Sequence, residues 1–242
     1  MSGNYSVARN LKSEKRAVKK AVVLLSGGVD SSTTLAVALS EGYDVHALTF
    51  DYGQRHKIEL QFSSRIAELF NVKKHTVLSF NLRAIGGSAI TSDIAVPKGV
   101  PQDTAESIPV TYVPARNTIF LSFALALAEA AGAEDIFIGA NAVDYSGYPD
   151  CRPEYLRAFE AMANLATKAG VEHTSEFKIH APLLYFSKAE IIKLGVSLGV
   201  DFALTLSCYD PGPTGTPCGE CQSCLIRERG FKEAAIADPR LI

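Results

Sequence analysis

From residue 20 onward, short apolar and β-branched runs alternate with longer stretches in which apolar residues recur every three or four positions. The first rhythm predicts strands over 21–25, 45–50, 75–80, 135–140 and 177–181; the second predicts helices over 31–41, 57–70, 118–131 and 153–168. Gly42, Gly132 and Gly170 stand where three of these helices should stop, because glycine enters a left-handed helix-closing conformation without steric cost. A further helix opens at Ser187, whose hydroxyl and the Glu190 carboxylate can satisfy each other's backbone donors as a capping box. Strands alternating with helices predict an α/β fold: a doubly wound, mostly parallel five-stranded sheet with crossover helices on both faces. Unbroken apolarity at 21–25 and 136–138 puts those two strands inside the sheet.

Two intervals break the rhythm. Residues 86–117 carry glycine, four prolines and little periodicity, which marks a candidate lid. Residues 141–152 directly follow the fourth strand, and open α/β sheets bind ligands at the carboxyl ends of strands, so both intervals should line one site.

The 242 residues are 47% hydrophobic and 21% charged, which excludes disorder, collagen and a disulfide-stapled miniprotein. A net charge of −2, from 24 basic and 26 acidic residues, supplies no whole-molecule attraction to nucleic acid or an anionic membrane, and neither is expected as a partner. The most apolar stretch, 120–133, is interrupted by Glu129 and is too short to span a bilayer. Arg9, Lys12, Lys15, Arg16, Lys19 and Lys20 crowd the start without the apolar core of a secretory signal, so residues 1–19 read as a disordered basic leader on a cytoplasmic protein. A nucleotide-binding unit over 20–200 and a cysteine-bearing segment over 201–242 would follow it.

Ser26-Gly27-Gly28-Val29-Asp30-Ser31 lies between the first strand and first helix, where backbone N–H groups and a helix N-terminus converge on an anion. The two glycines let backbone approach a ligand closely, and Ser26, Ser31 and Ser32 add hydroxyl donors. Asp30 would repel a phosphate, so it acts through Mg²⁺ or caps the helix. The loop has neither the Gly-Lys-Ser/Thr ending of a Walker A motif nor G-x-G-x-x-G spacing, which removes P-loop kinases and dehydrogenases.

Cys208, Cys218, Cys221 and Cys224, spaced C-x₉-C-x₂-C-x₂-C, offer four thiolates, a closed tetrahedral set suited to structural zinc. An iron–sulfur cluster or unliganded thiols are the alternatives at this point. Cys151 stands alone, as a nucleophile or a structural residue.

The phosphate loop resembles the S-G-G-x-D-S signature of the PP-loop ATP pyrophosphatases. Taken with Phe50-Asp51-Tyr52-Gly53-Gln54-Arg55-His56, Val113-Pro114-Ala115-Arg116-Asn117, Ser146-Gly147-Tyr148-Pro149-Asp150-Cys151-Arg152 and the four cysteines, the chain resembles the 7-cyano-7-deazaguanine synthase family from about 20 to 230. The resemblance implies a Rossmann-like PP-loop fold with a small C-terminal zinc-binding segment. It implies ATP-dependent conversion of 7-carboxy-7-deazaguanine and ammonia to the nitrile in queuosine biosynthesis, through adenylation of the carboxylate and then of the amide. It also implies a homodimer, Zn²⁺ on the four cysteines, and ATP along Leu25, Ser26, Gly27, Gly28, Val29, Asp30, Ser31, Ser32, Thr33, Thr34 and Leu35.

Such chemistry needs cations and donors around phosphorus more than a protein nucleophile. Mg²⁺, Lys188, Arg116 and Asp30 are the catalytic candidates, Arg116 also as a bidentate partner for the substrate carboxylate or a nucleotide phosphate. A guanine-like ring needs an acceptor and a flat surface, from Asp144 or Asp150 and Tyr145 or Tyr148. His56 is a candidate proton relay, and Gln54 and Arg55 are either ligand contacts or exposed loop residues. Two other functions compete: a PP-loop tRNA thiolation enzyme using Cys151 or a tail cysteine, and a noncatalytic zinc scaffold.

Overall fold

Residues Lys20–Leu24 form β1, in which alternate side chains enter different cores. Val22 and Leu24 join one apolar cluster while Ala21, Val23 and the following Leu25 join another, the period-two signature of a strand covered on both faces. The computed structural model describes residues 18–55, 57–99, 108–143 and 148–240. The leader expected over 1–19 therefore falls outside the described residues but for its last two. Val18 and Lys19 are exposed.

β1 is followed by α1 (Val29–Ser40), β2 (Asp44–Asp51), α2 (Glu59–Leu69) and β3 (Lys74–Ser79). Then come α3 (Arg116–Ala131), β4 (Asp135–Phe137), α4 (Pro153–Ala166), α5 (Lys168–Val171), β5 (Lys178–His180), α6 (Lys188–Ser197) and α7 (Gln222–Ala234). The five strands lie in the order β3-β2-β1-β4-β5, and all four pairings are parallel. β1 is central and β4 is interior, as their apolarity requires. Val22 of β1 sits opposite His46 on one side and Ile136 on the other.

Helices α3 and α4 cover one face through Leu121, Leu125, Leu156 and Phe159; α1 and α2 cover the other through Leu35, Ala38 and Ile66. The outer side of α1 carries a further layer, where Val29 and Ala36 meet Ile191 and Ile192 of α6 and Phe231 of α7. Chain order reverses on either side of β1, so the carboxyl ends of β1 and β4 flank a crevice with no crossover helix above it.

Three local readings differ from the sequence pattern. The helix expected over 153–168 breaks at Thr167, which adopts φ −105°, ψ 152° and whose hydroxyl caps Gly170 N–H. Gly170 thus lies inside the short α5 instead of ending α4; a competing side-chain cap won over the glycine stop. The fourth and fifth strands contract to three residues each, although the ladder continues through Ile138 N–H to His180 C=O at 2.9 Å. Finally, α7 has no counterpart in the sequence reading. Phe231 and Ala234 join it to the layer over α1 and α6, and its buried Arg227 is held by Asp238, Thr205 and Phe202.

Candidate active site

The β1–α1 turn is shaped by Gly27, Ser26 and Ser31. Gly27 has φ +82°, and a Cβ there would meet the Ser63 amide nitrogen of α2 at 2.6 Å, so both conformation and space demand glycine. The Ser26 and Ser31 hydroxyls lie 3.0 Å apart; Ser31 Oγ accepts from Ser26 N–H and donates to the Gly28 carbonyl. These hydroxyls hold the loop in its turn. β4's extension presses against the same helix start: a Cβ on Gly139 would lie 3.1 Å from Ser31 N.

A cavity opens above this turn. Leu25, Ser26, Gly28, Val29, Asp30 and Ser31 line it from below, while Leu48, Phe50, Tyr52, Ile90 and Phe120 supply apolar and aromatic walls. Gly27 points instead toward α2, and Ser32, Thr33, Thr34 and Leu35 are wholly buried in α1 behind the cavity. Ser32 Oγ and Thr34 Oγ1 have no hydrogen-bond partner there.

Three ionisable side chains that line the cavity, Asp30, Glu59 and Arg116, and Lys188 paired to the first of them, share one structural address. Asp30 lies in the first turn of α1, and Glu59, Arg116 and Lys188 each open a helix, α2, α3 and α6. Helix starts follow the carboxyl edge of a parallel sheet, so the topology gathers these groups although they are far apart in sequence. Lys188 is 5% exposed and its Nζ pairs with Asp30 Oδ1 at 2.5 Å, which excludes an ordinary solvated lysine. Gly230 leaves room for this side chain: a Cβ there would strike the Lys188 stem. Asp30 makes no capping hydrogen bond, and Gly28 is the N-cap of α1.

Arg116 enters α3 after Ala115, a left-handed N-cap at φ 53°. Burial works against its charge, but Tyr52, Tyr148, Tyr209 and Asp150 outweigh burial and hold the guanidinium protonated. Across from it, Glu59 Oε1 accepts from Gln54 Nε2 at 2.7 Å. Burial pushes the Glu59 carboxyl up to about 7, against the opposing pull of Gln54 and Arg116 and with Asp51 adding to the rise. Gln54 is buried, and its amide also braces Tyr52 N–H and the Phe50 carbonyl, so the exposed-loop reading of this residue is corrected. Arg55 is exposed and reaches the Ile94 carbonyl.

Tyr148 lines the cavity, with its hydroxyl 2.8 Å from Thr111 Oγ1. Asp150 is buried beside α3; its Oδ2 accepts from Asn117 N–H and its carbonyl from the Asn117 side chain, so it fastens the start of that helix. Cys151 borders the cavity, and burial pushes its thiol up to about 11, leaving it neutral and a poor sulfur carrier near pH 7. Asp144, Tyr145 and His56 lie outside the described residues. Of the expected lid, 86–99 and 108–117 are described, and Ser88, Ala89, Ile90 and Thr91 are buried.

The sulfurs of Cys208, Cys218, Cys221 and Cys224 all lie within 4.8 Å of one another. Two pairs, Cys218–Cys224 and Cys208–Cys221, stand at 4.0 Å, near the ~3.8 Å edge of a tetrahedron with ~2.3 Å metal–sulfur bonds. Backbone N–H groups of Tyr209, Asp210, Cys218 and Cys221 aim at three of these sulfurs, donors suited to thiolates. Hydrogen bonds from Cys208 and Cys224 drive the Cys221 thiol down. The set could hold a metal ion. It also adjoins the cavity: Leu206, Ser207, Cys208 and Tyr209 line it, Leu206 N–H donates to Gly27 C=O at 2.9 Å, and Lys98 bridges to Cys221.

Comparison with known proteins adds an independent finding. The family model for queuosine biosynthesis protein QueC matches residues 20–235. The chain is similar to 7-cyano-7-deazaguanine synthase of Geobacter sulfurreducens, 61% identical over 91% of this chain and 92% of that protein. It is likewise similar to the synthases of Geobacter metallireducens, 63% identical with 91% and 92% coverage, and Frankia casuarinae, 62% identical with 90% and 92% coverage.

Proposed function

The chain belongs to the QueC family of queuosine biosynthesis proteins, and we propose from that premise that it is an ATP-dependent enzyme making 7-cyano-7-deazaguanine from 7-carboxy-7-deazaguanine and ammonia. The observation carrying this reading is a helix N-terminus and the Arg116 guanidinium facing one cavity at the sheet's reversal point, with the buried Lys188 paired to Asp30 of its lining.

A carboxylate resists nucleophiles because its oxygens are poor leaving groups. Attack of the substrate carboxylate on the α-phosphorus of ATP releases pyrophosphate and turns that oxygen into part of a good leaving group. Amides of the β1–α1 turn hold the phosphates, and the positive ends of Lys188 and Arg116 offset charge building on them. Ammonia then displaces AMP and leaves the amide. A second ATP, attacked by the amide oxygen, makes departure of a second AMP possible and yields the nitrile. Mg²⁺ would neutralise phosphate charge, carried chiefly by the nucleotide with Asp30 as the nearby carboxylate.

The sulfur spacing and soft donors fit Zn²⁺ on Cys208, Cys218, Cys221 and Cys224, which would supply folding energy at the cavity wall and take no part in the reaction. Arg116 and Tyr148 are the substrate contacts in this reading, since Asp150 is engaged at α3. Residues 20–200 form the nucleotide-binding unit and 201–242 the zinc-binding segment. The enzyme acts on small molecules in the cytoplasm as a homodimer without nucleic acid; among the described residues no helix is long and apolar enough to cross a membrane.

Incubation with ATP, Mg²⁺, ammonium and the carboxy-deazaguanine should give a product that has lost two oxygens and gained one nitrogen by mass spectrometry. Absence of that product would remove the reading.

A further inference from the structure

Nitrogen transfer creates a proton problem that phosphate-binding groups cannot solve. When ammonia adds to the acyl carbon, the nitrogen carries a proton it must lose before AMP departs, or ammonia itself leaves. The nitrile step repeats the demand: as the second C–O bond breaks, the nitrogen must give up a proton to make the triple bond. The turn amides, Arg116 and Lys188 are donors or cations and cannot accept it.

Among the described residues lining the cavity the carboxylates are Asp30 and Glu59. Asp30 is engaged with Lys188, and neutralising it would strand a buried ammonium. Glu59 is differently placed. Its Oε1 is gripped by Gln54 at 2.7 Å, and Gln54 is itself pinned by Tyr52 N–H and Phe50 C=O, so the carboxylate is held by a rigid brace at the end of β2. The groups facing it are Gln54 and Asp51 from β2 and its loop, the Tyr52 hydroxyl, and Arg116 from α3; Asp51 is itself paired with Lys57. No cation is paired with Glu59 at salt-bridge distance among these.

Resting on the function read above, we propose that Glu59 is the proton acceptor for nitrogen transfer. In the first step ammonia's lone pair has made the carbon–nitrogen bond, a proton passes from that nitrogen to the Glu59 carboxylate and leaves its pair on nitrogen, and the oxyanion re-forms the carbonyl as the carbon–oxygen pair leaves with AMP. In the second, a nitrogen–hydrogen bond breaks with its proton passing to Glu59, its pair completes the carbon–nitrogen triple bond, and the carbon–oxygen pair leaves with the second AMP. Glu59 then returns the proton to solvent. Its burial sets a proton affinity near neutrality, where a base can both accept and release.

The experiment separates priming from nitrogen transfer on the full chain. Glu59→Gln and Glu59→Asp are assayed for pyrophosphate exchange into ATP with the carboxylic acid and no ammonia, and for nitrile formation at constant free ammonia across pH. The Gln variant should keep exchange within about threefold of wild type but lose nitrile formation ~10²–10³-fold. It should also lose the rise in nitrile formation that wild type shows near pH 7, and the Asp variant should restore part of the rate and that rise. Nitrile formation near the wild-type rate, an unchanged pH rise, or loss of exchange as severe as loss of nitrile would each overturn the assignment. Wild type that makes neither exchange nor nitrile would overturn the function itself and this assignment with it.

Discussion

The four sulfurs of the C-terminal corner come from one short stretch of chain, whereas Asp30, Glu59, Arg116 and Lys188 come from the starts of four helices. A local donor set needs only turns to bring its members together, and its energy goes into the fold. A dispersed set requires the whole sheet first, and each member sits where burial and neighbours alter its charge. The two regions nonetheless meet, because Leu206 and Ser207, just before the first sulfur, bond to Gly27 and Val29 of the phosphate turn. Damage to the corner should therefore cost stability first and the pocket second, while damage to the pocket should spare the fold.

Metal removal tests the first half and should have the largest effect. Structural zinc supplies ~10–16 kcal/mol in small isolated sites; if even a third of that is at work here, chelation or Cys221→Ser lowers the thermal midpoint by ~10–20 °C. Calorimetry with and without chelator measures it, and nucleotide affinity should fall in parallel because Leu206 loses its anchor. An unchanged midpoint would mean the corner is held by packing alone.

The same corner has a second anchor whose failure needs no metal. Arg227 and Asp238 are 6% and 7% exposed, and the carboxylate takes two hydrogen bonds at 2.7 and 2.8 Å from the guanidinium. Asp238→Ala leaves that buried charge with only the Thr205 and Phe202 acceptors and should cost ~3–5 kcal/mol in urea unfolding. If the cost is below ~1 kcal/mol, α7 is fastened chiefly by its apolar contacts with α6.

On the pocket side, Lys188→Met preserves side-chain volume against Gly230 but removes the partner of Asp30. Turnover of ATP should fall ~10²-fold, with a smaller change in the urea midpoint than Asp238→Ala produces. Equal losses in both measurements would erase the contrast between the two regions.

These residues also mark how far the sequence could be read. The strands, the sheet class and the cysteine set were legible because each is a local pattern: period-two burial in β1, or thiols separated by two residues. Lys188 and Arg116 were legible as positions at helix starts within recognisable motifs, but their surroundings were not. The partner of Lys188 lies 158 positions away, which is why Asp30 read as an Mg²⁺ ligand or a cap. Asp150 read as a base-edge acceptor because nothing local reveals that Asn117 N–H takes its oxygen. Glu59 escaped attention altogether: an acid in the first turn of a helix is ordinary. A usable signal did exist, since Glu59 opens the helix after the second strand, the same topological slot that Asp30 occupies after the first. The α7 helix was missed because its stability comes from Arg227 and Phe231 in company with distant partners, and its own periodicity is weak.

The smallest expected effect separates the regions by the sign of their response to pH. A carboxyl raised from 4.5 to about 7 on folding binds more protons in the native state than in the unfolded chain between those values. Its contribution to stability is therefore complete below about 4.5 and is lost as pH rises through about 7. Glu59→Gln cannot titrate, so its advantage over wild type should grow from pH 5 to pH 8, reaching ~1–2 kcal/mol once partial solvent access is discounted from a ~3 kcal/mol ceiling. A metal-thiolate corner behaves oppositely, because protons compete with the ion and stability drains as pH falls. Urea unfolding of wild type and Glu59→Gln at four pH values, with metal saturating, isolates the first term as their difference. A difference flat across pH would mean that Glu59 is as well solvated when folded as when unfolded, and its half-buried place beside Arg116 would then count for nothing in the energetics of the pocket.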